Sequence, residues 1–124
     1  IKILKGNIFR RSNPAIVGVE VLGGEIKKDV YLINLDGKII GRILAIQKEK
    51  KNIDVAMKND KVAISIDDAV VGRNVFEDDV LYTFISENDY RKFKENKDIL
   101  NDEQKEILKE IANIMRKENP AWGL

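Results

Sequence analysis

The chain contains no cysteine and no histidine. Disulfides, thiolate or imidazole metal sites, cysteine nucleophiles and every triad with a histidine base are excluded at once. Proline (2) and glycine (8) are sparse in 124 residues, and 44% apolar with 35% charged side chains is the composition of a globular chain rather than a disordered or fibrous one. The length suits one modest domain, too short for a nucleotide-binding domain plus a second folded unit. No apolar run approaches the roughly 20 residues that cross a bilayer, and no charged leader with an apolar stretch opens the chain. The cytoplasm is the expected compartment, with no membrane partner. The first residue is Ile1 rather than methionine, which reads as a piece of a longer polypeptide.

The net charge of +1 hides a division. Residues 1–66 carry 13 basic and 7 acidic side chains, a net +6, whereas residues 67–124 carry 9 and 14, a net −5. Such asymmetry is a hint of a nucleic-acid-facing surface, and also the signature of two solvated faces.

Up to Ile85 the pattern is that of short strands. Ala15 to Leu22 is dense in β-branched residues and is followed by Gly23-Gly24, a turn signal. Val30 to Leu35 and Ile39-Ile40 flank Asp36-Gly37, which predicts a hairpin over residues 30–47 closed by a type I′ turn. Val62 to Ile66 and Val80 to Ile85 read as further strands. Many short strands without helices between them predict a mainly β architecture over 1–85, a small closed antiparallel β-barrel, since closure removes exposed edges. After Ile85 the period changes, and 86–124 reads as a helical extension packed on the barrel. Ser86-Glu87-Asn88-Asp89 is a capped helix start, with Tyr90 and Phe93 on one face. Asn101 to Gln104 resembles a capping box, and Ile107, Leu108, Ile111, Ile114 and Met115 form the apolar stripe of a second C-terminal α-helix, which Pro120 is expected to stop.

A search for chemistry returns little. There is no glycine-rich phosphate loop and no dinucleotide fingerprint, so this piece is not expected to hydrolyse nucleotides. Asp67-Asp68 and Glu77-Asp78-Asp79 lack calcium-loop spacing and read as loop residues, and Ser65 has no base beside it. No catalytic residue and no metal site is assigned. Residues 38–61 hold seven bases against three acids, and Lys2, Lys5, Arg10 and Arg11 add to them. Folded together they would make a phosphate-attracting surface; left apart, a solvated loop. Trp122, the only tryptophan, either folds back over the base of the last helix or joins the Ile107 to Met115 stripe as the anchor of a partner groove.

The run from Phe9-Arg10-Arg11-Ser12-Asn13-Pro14 through Leu22-Gly23-Gly24, with Gly41-Arg42-Ile43, Val62 to Ile66, Gly72-Arg73 and Asn119-Pro120-Ala121-Trp122-Gly123, resembles the carboxyl-terminal domain of archaeal and eukaryotic translation initiation factor 5B, relative of bacterial initiation factor 2. The Lys, Ile, Glu and Asn usage suits an archaeal source. The resemblance implies a translation-factor barrel of the elongation-factor second-domain type with extra helices. It implies a parent factor whose separate GTPase domain, holding GTP and Mg, drives ribosomal subunit joining. It implies that this domain contacts the aminoacylated acceptor end of initiator methionyl-tRNA and, through its helices, the carboxyl-terminal tail of initiation factor 1A. On that basis Lys48, Lys50, Lys51 and Lys61 are expected to meet acceptor-end phosphates and Val19 and Val62 the methionyl group. The set Lys105, Ile107, Leu108, Lys109, Ile111, Met115, Arg116 and Trp122 is expected to meet the protein tail. The alternative is a protein-docking module with no direct tRNA contact.

Overall fold

The structure, a computed structural model, describes residues 1–124. Nine strands precede two helices: β1 (Lys2–Arg10), β2 (Ala15–Glu20), β3 (Glu25–Lys27), β4 (Tyr31–Ile33), β5 (Ile39–Lys48), β6 (Lys51–Ile53), β7 (Val55–Met57), β8 (Lys61–Asp67), β9 (Tyr82–Thr83), α1 (Glu87–Glu95) and α2 (Asp102–Met115). The main antiparallel sheet runs β1-β2-β8-β5-β4-β9, with β6 paired to β5; β3 and β7 form a separate ribbon.

Alternation explains the core. In β8 Val62, Ile64 and Ile66 point inward while Lys61, Ala63 and Ser65 do not. They meet Ala15, Val17 and Val19 of β2, with Ile43 and Ile46 of β5 and Ile3 of β1 in the same apolar cluster. Each fully buried isoleucine or valine here contributes about 1.5–3 kcal/mol by leaving water.

The closed barrel predicted from the strand count is not what forms. β1 and β9 are the two ends of the ladder and do not pair with each other. Residues 1–3 instead bond to the turn just ahead of β9, through Ile3 N to Asp79 O (2.8 Å), Leu81 N to Ile1 O (2.8 Å) and a single bridge between Lys2 and Val80. Turn chemistry is the cause. Asp78 sits at φ 66° and the Asp79 carboxylate accepts from Phe76 N, so residues 76–79 curl where a strand would have to run straight. The Glu77-Asp78-Asp79 run is thus used in this turn, with Glu77 accepting from Gly6 N of β1, whereas Asp67 is the last residue of β8.

The hairpin turns also differ from expectation. At residues 34–38 the Asn34 side chain accepts from Asp36 N and Lys38 N, and of Asp36 and Gly37 only the glycine has positive φ, so the turn is wider than type I′. The two-residue I′ geometry falls instead at Glu49 (φ 52°) and Lys50 (φ 65°), between the paired Lys48 and Lys51.

Both helix starts form as the sequence predicts. Asp89 N donates to Ser86 Oγ, and the Asn101–Gln104 capping box is complete in both directions. A 3₁₀ turn over Lys97–Ile99 joins the helices. α2 ends at Met115, ahead of Pro120, and the chain then folds back. The helices cover the β4–β9 edge, where Ile33 joins Tyr90, Ile111, Ala112, Ile114 and Trp122 in a second apolar cluster. α2 is tied at both ends. Glu103 accepts from Gly24 N and from Lys58, contacts that hold its carboxyl below the usual range. Lys117 donates to Leu35 O, and Lys38 pairs with Glu118. Midway, Tyr82 donates to Glu110 at 2.7 Å; burial and that carboxylate push its hydroxyl up to about 12. No helix is long and apolar enough to cross a membrane.

Candidate binding groove and basic sheet end

Two surfaces stand out. The first is a groove between α1 and α2, closed at one end by their connector, with a volume of about 260 Å³. Tyr90, Phe93, Leu100 and Leu108 make its apolar floor, and Lys94, Lys97, Lys105 and Lys109 its rim. None of these four ammonium groups pairs with a carboxylate of the chain. A positive rim around an apolar floor suits a segment that alternates acidic and aliphatic side chains.

Beneath the groove the chain's last turn acts as a support. Trp122 lies against Tyr90 with ring centroids 5.0 Å apart, and Arg116 donates to Trp122 O at 2.8 Å while its guanidinium carbon sits 5.8 Å from the Tyr90 ring centre. Tyr90 therefore faces the groove on one side and Trp122 on the other.

The second surface is one end of the main sheet. Lys48 and Lys51 face each other across β5 and β6, Lys50 occupies the turn between them, and Lys61 begins the neighbouring β8, opposite Glu20. All four side chains are exposed. Lys48 pairs with Asp60 at 2.9 Å; the pairing raises the ammonium and lowers the carboxyl from their ordinary values. Lys50, Lys51 and Lys61 pair with no carboxylate.

A family model described as elongation factor Tu domain 4 matches residues 1–82. The chain belongs to that family. It is also similar over its whole length to proteins described as probable translation initiation factor IF-2: 48% identical to that of Metallosphaera sedula and 49% to that of Methanopyrus kandleri, covering 21% of each. The crystal structure of GDP-bound aIF5B from Aeropyrum pernix aligns with a TM-score of 0.92 and 38% identity, over 98% of this chain and 21% of that one. The resemblance to initiation factor 5B read from the sequence therefore stands, and the chain spans about a fifth of the length of these relatives. The domain 4 match stops at residue 82, so both helices lie beyond it.

Against this domain 4 frame the expected residues separate. Lys48, Lys50, Lys51 and Lys61 come together at the sheet end, but Val19 and Val62, although direct cross-strand partners, are core residues at 0% and 5% exposure. Val19 presents no surface to a methionyl group and Val62 very little. Lys58, counted with the basic cluster, is drawn to Glu103 on α2. Of the helical set, only Lys105, Leu108 and Lys109 line the groove. Ile107 faces the β2–β3 turn, with its Cδ1 within 3.1 Å of the Cβ position of Gly23; Met115 lies beside Gly37; Ile111 and Trp122 are buried; Arg116 is held by Trp122. The stripe is wanted by the core on one flank, which is why its other members do not line this groove. Sequence reasoning missed Tyr90, Phe93, Lys94, Lys97 and Leu100 as groove residues. The pairing of Tyr90 with Phe93 on one face was the available signal; the connector geometry that adds Leu100 has no sequence signature.

Proposed function

We propose that this chain is a non-catalytic binding domain of a cytoplasmic translation initiation factor, whose α1–α2 groove docks an acidic-apolar protein segment. The groove floor ringed by four unpaired lysines carries this reading. The carboxyl-terminal tail of initiation factor 1A is the partner that the family resemblance supplies, and GTP and Mg belong to a separate domain of the parent, acting in ribosomal subunit joining. In titration calorimetry, a peptide alternating Asp with Ile or Leu is expected to bind the chain, and Leu108→Asp to weaken it by about a hundredfold, because a carboxylate would be placed in the apolar floor among its own kind. Leu108 is half-buried and packs on the helical apolar cluster, so the melting temperature should fall modestly as well, and affinity is read on the folded variant. Unchanged peptide affinity in the folded variant sinks the groove.

A second contact is favoured by the lysines at the sheet end. We infer that Lys48, Lys50, Lys51 and Lys61 meet phosphates at the acceptor end of initiator tRNA, with the valines beneath them supplying only the core. Alanine at Lys50, Lys51 and Lys61 together is expected to lower affinity for methionyl-tRNA roughly tenfold at moderate salt and to flatten its salt dependence by about 2–3 in the log-log slope. If neither affinity nor slope changes, the chain is a protein-docking module without tRNA contact.

A further inference from the structure

The chain's arginines divide into two groups. Arg42 and Arg91 pair with Asp29 and Glu87, and Arg116 is held by Trp122 and Tyr90. Arg10, Arg11 and Arg73 pair with no carboxylate, and the fold gathers them. β1 ends at Arg10, whose Nε donates to Ser12 O at 2.9 Å. Val71 N donates to Arg11 O at 2.8 Å, and the Arg11 guanidinium donates back to Val71 O at 3.3 Å. That guanidinium lies across Gly72, where a Cβ would stand 3.1 Å from Nη2, and Arg73 is the next residue. Phe9, immediately before Arg10, is 65% exposed.

This corner is far from the lysines of the sheet end. β8 starts at Lys61 and finishes at Asp67, and it is the finishing end, where Ile66 pairs with Ala15, that adjoins the arginines. The nearest acids along the chain, Glu77, Asp68 and Asp67, form no ion pair with any of the three, Glu77 accepting instead from Gly6 N.

We propose that Phe9, Arg10, Arg11 and Arg73 form a second anion-binding site that takes a single-stranded RNA segment. The chemistry favours RNA over an acidic peptide on two counts. The Arg10 and Arg11 guanidiniums, anchored by backbone carbonyls, keep their remaining N–H groups as preorganised forks, which match phosphate oxygens bidentately. Phe9, left in the β1 bulge between Ile8 and Arg10, is an exposed aromatic that offers a stacking surface for an unpaired base, which a carboxylate-bearing peptide does not use. The site is independent of the groove and of the lysines, so its failure leaves both untouched.

The test uses the intact 124-residue chain with Lys48, Lys50, Lys51 and Lys61 changed to Ala, so that the opposite sheet end is silent. Binding of a labelled oligouridine about 12 nucleotides long is followed by fluorescence anisotropy over a salt series. Arg10→Ala with Arg73→Ala is expected to weaken binding about tenfold and to flatten the log-log salt slope by about 1.4, two phosphates' worth for a single strand. Phe9→Ala is expected to weaken binding about tenfold with the slope unchanged. Arg11 is left in place because its contacts to Val71 are structural. Oligouridine binding indifferent to the arginine pair overturns the site. Displacement of the RNA by polyglutamate at equal charge concentration, with no effect of Phe9→Ala, overturns its assignment to RNA.

Discussion

Gly41→Ala is expected to remove about 3 kcal/mol or more of folding stability, enough to lower the melting temperature by roughly 10 °C. Gly41 has φ +154°, and a Cβ built there would stand 1.9 Å from Asp67 O and 2.9 Å from Ile66 Cγ2. The obstacle is backbone, not a flexible side-chain end. Asp67 is held in the β5–β8 ladder opposite Arg42, and Gly41 pairs with Leu32 of β4 on its other side, next to a register shift. Relief therefore requires moving β5 against one of its partners at the centre of the sheet. Gly6→Ala is the control. Gly6 also has positive φ, at +77°, but nothing lies within 4 Å of its Cβ position. It should lose only the local conformational penalty of about 1 kcal/mol. Urea denaturation of the two variants separates these costs, and equal losses would show that the close approach at Asp67 is tolerated.

Gly41 also marks where the sequence was readable and where it was not. As a glycine among strand residues it punctuates the pattern, yet nothing local distinguishes a turn glycine from one that lets two strands cross. Positions whose structure is settled within a few residues were legible: the Ser86 cap, the Asn101–Gln104 box, and the alternation that puts Val62, Ile64 and Ile66 inward. Those settled by distant contacts were not. Glu49 and Lys50 adopt left-handed backbone although neither is glycine or asparagine, because the ladders of β5 and β6 demand a tight turn there. Lys58 reads as one more base in a basic run; only the fold brings Glu103 to it. Whether the strands close into a barrel depends on a handful of backbone bonds between residues 1–3 and 78–81, which composition does not encode.

The same division runs through the candidate groove. Ile107 and Leu108 are adjacent members of one apolar stripe, and about 100° of helical rotation separates them. One is directed to the β2–β3 turn and the other to α1. Periodicity identifies the stripe but not which flank is covered, since that depends on where α1 is held. Two features fix α1: the short connector through Lys97–Ile99 and the packing of Tyr90 on Trp122.

Trp122→Ala is therefore expected to act on binding from beneath. Trp122 is 5% exposed, belongs to the helical apolar cluster rather than the sheet cluster, and does not line the groove. Truncating a buried tryptophan costs about 3–5 kcal/mol, part of it the lost contact with the Tyr90 ring. Because the sheet core of Val17, Val19, Ile43, Ile64 and their neighbours is a separate cluster, the loss should fall on the helices. Hydrogen exchange is expected to show amides of α1 and α2 losing protection while those of β2, β5 and β8 keep theirs, and affinity for the acidic-apolar peptide should fall with the helical protection. Trp122→Phe, which keeps a ring against Tyr90, should restore most of both. The two readings of this tryptophan part at one measurement. Peptide binding lost while α1 and α2 stay protected would make Trp122 an anchor that touches the partner; binding and protection lost together make it the prop that holds Tyr90, and with it the groove, in place.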